Sequence, residues 1–239
     1  MGSTRCFCAA TFEGDDDALA VVMKEHLDVT HGISVGLVTA RNAIERQRVL
    51  DPPPERLTAI GEVTVTPVSA ALVGDFLEFF DATAFTDNVG WASCYCIFHH
   101  LDPSTWEARS WQTNRAEMIE RLRSGASTGV LAHVDGVVAG WVNAGPLSAY
   151  PAHRHGDGRD DRTGAIVCFV VGPAYRRHGL GMTLLDAACE LLRDAGLTAV
   201  EAYPSHDPRS PAAAYHGTPE MYRRAGFSAG DDGTWLRSL

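Results

Sequence analysis

Apolar and polar positions divide the chain into short strands and amphipathic helices. Glu62 to Pro67 alternates with a period of two and predicts a strand, after which Val68 to Ala84 changes to helical spacing. Ser104, followed three residues on by Glu107, has the form of a capping box and predicts a second helix running to about Arg123. Val130 to Val134 and Val137 to Asn143 read as a hairpin across Asp135-Gly136, a pair suited to a type I′ turn. Ile166 to Val171 is continuously apolar, a buried strand that ends at Gly172-Pro173. The helix after it carries Leu184, Leu185, Ala188, Leu191 and Leu192 on one face. Thr198 to Pro204 reads as another strand closed by proline. A short helix is then framed by Thr218 as N-cap, Pro219 at its first position and Gly226 as C-cap.

Two stretches interrupt this pattern. Asp51-Pro52-Pro53-Pro54-Glu55 cannot continue a helix and favours a stiff spacer, so residues 51–61 are expected to link a small unit (1–50) to a larger domain (62–239). Residues 145–163, rich in Gly, Pro, His, Arg and Asp, predict a mobile loop on the substrate side. No internal repeat is apparent.

Composition narrows the class. With 239 residues, 45% hydrophobic and 21% charged, the chain is an ordinary globular one. A net charge of −10 provides no global attraction to nucleic acid or an anionic membrane. No apolar run reaches transmembrane length, and the N-terminus lacks a signal-peptide pattern. The six cysteines form two C-x-C pairs plus Cys168 and Cys189, which fits a reduced, cytoplasmic chain.

The chemistry concentrates where the buried strand meets the next helix. Arg176-Arg177-His178-Gly179-Leu180-Gly181 is an R-x-x-G-x-G turn at a helix N-terminus. There the glycines admit close backbone approach, and the helix dipole favours an anion such as a pyrophosphate. The spacing fits neither a Walker loop nor the G-x-G-x-x-G dinucleotide fingerprint. This turn resembles motif A of the GNAT acyltransferase superfamily. A second match lies downstream: Tyr215 to Phe227 ends like that family's Y-x-x-x-G-F motif, at Tyr222 to Phe227. The resemblance covers about residues 62–239. It implies an α+β fold with a central, mostly antiparallel sheet flanked by helices, split by a V-shaped opening for the cofactor, beside a small N-terminal α/β unit.

The resemblance also implies a reaction: an amine attacks the thioester of acetyl-CoA directly, and the acceptor is a small molecule or amino acid. Val170 and Val171 would flank the thioester, with the Val171 N–H polarising its carbonyl. The amides of Arg177 to Met182, including His178, Gly179 and Gly181, would hold the pyrophosphate, and the Arg176 and Arg177 side chains would add charge. A plain solvated helix start is the other reading of the arginines. Tyr222 stands where many relatives place the acid that protonates the thiolate, or it packs against the cofactor without proton transfer. Tyr215 departs from the family, many of whose members carry asparagine there. Glu201, mid-strand between apolar neighbours, is the candidate general base, or else an ion-pair partner for a substrate ammonium or an arginine. Asp160, Asp161, His206 and Asp207 compete weakly. Trp91, Tyr95 and His99 are expected to shape the acceptor pocket. The same segment read blandly is aromatic packing, and Cys94, Cys96, His99 and His100 also have metal-ligating chemistry. A W-x-x-C-x-C segment, with E-A-Y-P and G-T-x-x-M later, resembles a bacterial subgroup. A donor carried on tRNA, or a non-catalytic acyl-CoA-binding module, are the alternatives. The acidic charge argues against RNA, and a homodimer stays open.

In the N-terminal unit, Cys6, Cys8, His26 and His31 form a C-x-C … H-x4-H pattern resembling small domains with a metal role. The histidine spacing suits a structural zinc, whereas the cysteine pair is tighter than usual. Alternatively, the cysteines are small buried hydrophobes and the histidines lie on an amphipathic helix packed against the larger domain.

Overall fold

The computed structural model describes residues 2–6, 8, 10–31, 35–153, 161–206 and 214–239, with His31 and Val89 described by backbone alone. A hairpin of β1 (Gly2–Arg5) and β2 (Thr11–Gly14) opens the chain, followed by α1 (Asp16–His31) and α2 (Leu37–Gln47). Leu19, Met23, Leu27 and Ile44 close a small core among these elements.

The larger part is one seven-stranded sheet: β3 (Val63–Pro67), β4 (Gly129–Val134), β5 (Val137–Pro146), β6 (Thr163–Val171), β7 (Ala199–Ala202), β8 (Ser228–Ala229) and β9 (Trp235–Ser238). Its order is β3-β4-β5-β6-β7-β9-β8, and every pairing is antiparallel except β6 with β7. The β4–β5 turn has left-handed Asp135 (φ +50°) and Gly136 (φ +81°), as a type I′ hairpin requires. One face of the sheet packs on α5 (Leu180–Asp194) through Leu184, Leu185, Ala188 and Leu192, while Leu191 is half-buried. The other packs on α3 (Val73–Ala82) and α4 (Trp111–Ser124) through Phe76, Phe80 and Met118. α6 (Pro219–Arg224) starts as expected, with the Thr218 hydroxyl accepting from the Met221 N–H at 3.3 Å.

Two local differences from the sequence reading arise from tertiary contacts. The expected helix from Ser104 is a 3-10 turn over Pro103–Ala108 capped by Asp102, and α4 begins only at Trp111, where Ser110 accepts from the Thr113 N–H. Between them Arg109 is extended, because Asn42 of α2 takes its carbonyl at 2.9 Å and accepts from the Trp111 N–H at 3.3 Å. In β6, the register to β5 slips between Asn143 and Ala144. The slip puts both Val167 and Cys168 on the α3/α4 side, the re-aiming a β-bulge produces.

α2 packs against the end of α3 and the residues that lead into α4. Asn42, Ala43, Ile44 and Arg46 of α2 are all buried. Arg46, 2% exposed, donates to the Phe80 and Asp81 carbonyls at 3.1 Å each, the last turn of α3. Its guanidinium also lies 5.0 Å from the centre of the Trp111 ring. The Trp111 indole N–H donates to Glu45 at 2.9 Å.

Candidate active site

β6 and β7 run side by side only from Thr163↔Ala199 to Ile166↔Ala202, after which β7 ends and β6 continues to Val171. Further along, the Phe169 N–H is taken by the Tyr215 carbonyl at 2.5 Å. This divergence opens a cleft of about 1050 Å3. Val170 and Val171 form one wall, Arg176, Arg177 and the residues from Gly179 to Met182 the floor, and Tyr215, Thr218 and Met221 the other wall. In the turn, Arg177 (φ +68°) and Gly179 (φ +86°) are left-handed. A Cβ at Gly179 would meet no atom within 4 Å, so glycine is required there by its dihedral and not by crowding. α5 starts at the next residue with no side-chain cap, which leaves the positive end of its dipole to the cleft. Of the amides expected to bind phosphate, that of Met182 already bonds the Gly179 carbonyl at 2.9 Å.

Two of the basic residues differ from expectation. Arg176 donates to the Val171 carbonyl at 2.9 Å and forms an ion pair with Asp87, its side chain only 18% exposed. Its charge is therefore already matched, and it braces the cleft wall; Arg177 is exposed along the same floor. His178 does not line the cleft: its Nε2 is 2.9 Å from the Leu57 carbonyl, and the Leu57 N–H bonds the Ala174 carbonyl at 2.9 Å. These contacts fasten the proline-rich segment across the turn, bringing Pro54 and Arg56 to the cleft. The sequence reading treated that segment as a spacer. The available signal was Arg56, the one basic residue between 49 and 61.

A second cavity of about 200 Å3 adjoins the cleft, and the two share Phe85 and Tyr215. Trp91 and His99 line it, beside Cys94, Cys96 and Cys168. Tyr95 does not. Tyr95 and Cys96 are left-handed (φ +47° and +55°), and the Tyr95 ring is fully buried, its hydroxyl donating to Asp81 at 2.7 Å. His99 Nδ1 lies 3.2 Å from His153 Nε2. Burial, then the neighbouring His216, His153 and His100, hold its pKa down to about 2, so the ring is neutral near pH 7.

Glu201 is fully buried and lines neither cavity. It accepts the Tyr203 hydroxyl at 3.0 Å, and the Tyr203 ring stacks on His153 at 4.1 Å. Tyr222 is also absent from the cleft. The α6 cap Thr218 and, on the helix, Met221 face the cleft, and one residue on, about 100° around the helix, Tyr222 is fully buried beside Phe227. Its hydroxyl donates to the His216 carbonyl at 2.9 Å, and burial raises its pKa well above the ordinary phenol value. Asp161 and His206 are exposed and line neither cavity; Asp160 and Asp207 lie outside the described residues.

In the N-terminal unit, the sulfurs of Cys6 and Cys8 and a ring nitrogen of His26 lie within 4.8 Å of one another, with Cys8 Sγ 3.2 Å from His26 Nε2. The His31 side chain lies outside the described residues. None of the six cysteines is disulfide-bonded. Among the described residues no helix is long and apolar enough to cross a membrane.

A model of the GNAT acetyltransferase family matches residues 91–227. Among solved structures, a GNAT-family acetyltransferase from Streptococcus pneumoniae shares 18% identity over 74% of this chain and 99% of its own (TM-score 0.43). A GNAT-family acetyltransferase from Brucella melitensis in complex with acetyl-CoA shares 15% over 74% and 88% (TM-score 0.43). The PaiA N-acetyltransferase from Thermoplasma acidophilum, in complex with coenzyme A, shares 14% over 73% and 96% (TM-score 0.43). No curated protein sequence matches this chain.

Proposed function

The chain belongs to the GNAT family of acetyltransferases, and on that premise we propose that it moves an acetyl group from acetyl-CoA to the amine of a small molecule. The observation that carries this reading is the junction at Tyr215, where a cleft floored by an anion-suited helix start meets a smaller cavity. The amides from Arg177 to Gly181 hold the pyrophosphate, and the Arg177 and Arg56 side chains add charge. The Val171 N–H polarises the thioester carbonyl. The amine nitrogen attacks that carbon, the C–S bond breaks, and the thiolate takes a proton. Tyr215 supplies that proton, since its ring lies at the junction and burial raises its pKa, which keeps the phenol protonated. The amine attacks in its neutral form, and the proton it then sheds restores the Tyr215 phenol; His99, held neutral beside His153, lines its path. Glu201 acts behind them as a positioning residue, holding Tyr203 against His153.

Calorimetric titration with acetyl-CoA tests the donor. We expect binding in the micromolar range, about −5 to −8 kcal/mol. Gly179→Val should weaken it about tenfold, because a β-branched residue is strained by about 1–2 kcal/mol at positive φ. Failure of the native chain to bind acetyl-CoA would overturn the reading.

We further infer that Cys6, Cys8 and His26 hold a structural zinc. Three soft or borderline donors within 4.8 Å suit a tetrahedral shell. The zinc would pin the β1–β2 hairpin to α1. Zinc added to the metal-free chain should bind one equivalent by native mass spectrometry and raise the midpoint of N-terminal unfolding, and Cys8→Ser should remove both effects. A chain that takes up no zinc would sink the assignment.

A further inference from the structure

We propose that the 200 Å3 cavity beside the cofactor cleft is an acceptor site for a monoamine with an uncharged aryl or alkyl body, and that the N-terminal unit supplies one of its walls. The inference rests on the acetyltransferase reading above and goes beyond it in naming the acceptor class.

Five aromatic rings line the cavity, from Phe85, Trp91, Phe98, Trp106 and Tyr215. Among its described lining residues none is Asp, Glu, Lys or Arg. The one lining imidazole, His99, is held neutral by burial. The chemistry of exclusion follows. A substrate carboxylate would enter without a cation to meet it, which disfavours amino acids. A second ammonium, as in a polyamine or an aminoglycoside, would find no carboxylate among the described lining residues, Glu107 being outside the cavity and bonded to the Thr39 hydroxyl. A single amine group faces no such penalty, because it is deprotonated for attack and, while still charged, is favoured by aromatic faces. The volume equals the share of about six or seven water molecules at ~30 Å3 each, room for one ring and a short arm.

Val35 and Thr39 close the cavity from the N-terminal side. Thr39 belongs to α2, and its hydroxyl is 3.3 Å from the Glu107 carboxylate, next to Trp106. A carboxylate of Glu107 also lies where any side chain on Gly36 would begin, so the chain passes close against this rim. α2 is held there by its contacts to Arg109 and Trp111 and by Arg46 on the end of α3. The acetyltransferase fold alone would leave this side of the pocket open.

The test uses the full chain with 2-phenylethylamine, phenylalanine and spermidine, read in two ways. Acetylation is followed by mass spectrometry with acetyl-CoA present; amine binding is followed without donor by quenching of tryptophan fluorescence. Phenylethylamine should be acetylated with a kcat/KM at least about thirtyfold above phenylalanine and spermidine, the ratio expected for leaving one charge unpaired in an apolar pocket. Val35→Glu should lower phenylethylamine turnover at least about tenfold while acetyl-CoA affinity holds, whereas Arg41→Ala, at an exposed position of α2 outside the cavity lining, should stay near the native value. Equal or better use of phenylalanine or spermidine would overturn the proposal, as would a Val35→Glu variant with native selectivity. If acetyl-CoA fails to bind but phenylethylamine still quenches selectively, the donor reading falls and the pocket assignment stands. If phenylethylamine neither binds nor reacts while acetyl-CoA binds, the pocket assignment falls alone.

Discussion

Replacing Arg46 by alanine should destabilise the chain by about 3 kcal/mol and loosen the N-terminal unit from the acetyltransferase domain. The guanidinium is buried and is bound to the Phe80 and Asp81 carbonyls of the last turn of α3. Those groups have no partner within the helix and sit at the negative end of its dipole. Removing the cation strands them in a dry interface, and a hydrogen bond to a charged group contributes roughly 1.5–3 kcal/mol. Packing over the Trp111 ring is lost as well. Arg46→Lys should recover only part of the loss, because a point charge cannot span both carbonyls while lying flat on an indole. For a chain of this length, 3 kcal/mol corresponds to a fall in Tm of about 6–12 °C. Limited proteolysis should show faster cleavage in residues 51–61, and acceptor turnover should fall because α2 carries part of the pocket wall. Arg41→Ala is the control. Its ion pair to Asp17 is largely exposed, and its loss should cost less than ~1 kcal/mol. An Arg46→Ala chain as stable as the native one would mean that the interface is held elsewhere.

The fold was readable because its elements are written in local patterns. Val63–Pro67, the Asp135-Gly136 hairpin, the strand ending at Val171 and the helix after Gly179 each combine periodicity with turn chemistry that a single sequence displays. The glycine turn was readable for the same reason, since the strand, the glycines and the helix start are contiguous. The smaller cavity was only half readable. Trp91 and His99 stood out by density of chemistry, but the left-handed pair Tyr95 and Cys96 turns the intervening tyrosine into the core. The contributions of Val35, Thr39, Phe85 and Trp106 depend on long-range packing. The same holds for the start of α4, where Asn42, 69 residues away, sets the helix boundary that a local capping box had suggested six residues earlier. Arg176, expected to add charge to the turn, is matched by Asp87, distant in sequence, while Arg56, which carried no expectation, reaches the cleft with the proline segment. Tyr222 shows the limit of a motif, since a matching position does not settle where a hydroxyl group ends up.

Tyrosines 215 and 222 should therefore separate in function. Tyr215→Phe is expected to lower kcat about a hundredfold, the range of a missing general acid, with little change in affinity for acetyl-CoA. The ring still fills the junction between cleft and cavity, so the loss falls on proton transfer. A readout specific to that step is the leaving group. An acetyl donor built on a more acidic thiol needs no proton at C–S cleavage, and with it the Tyr215→Phe enzyme should approach the native rate. Tyr222→Phe should keep kcat within about twofold on either donor. Its cost should appear in stability, about 1 kcal/mol, because the hydroxyl bonds only the His216 carbonyl in a buried site. The pH profiles should diverge too. A phenol acid works only while protonated, and burial raises the pKa of Tyr215, so native kcat should hold through neutral pH and fall only above the ordinary phenol range. That alkaline fall should vanish in Tyr215→Phe and persist in Tyr222→Phe. If instead Tyr222→Phe loses activity and is rescued by the acidic thiol, α6 must turn during the reaction to bring Tyr222 into the cleft. Tyr215 would then be a wall of the pocket and not its acid.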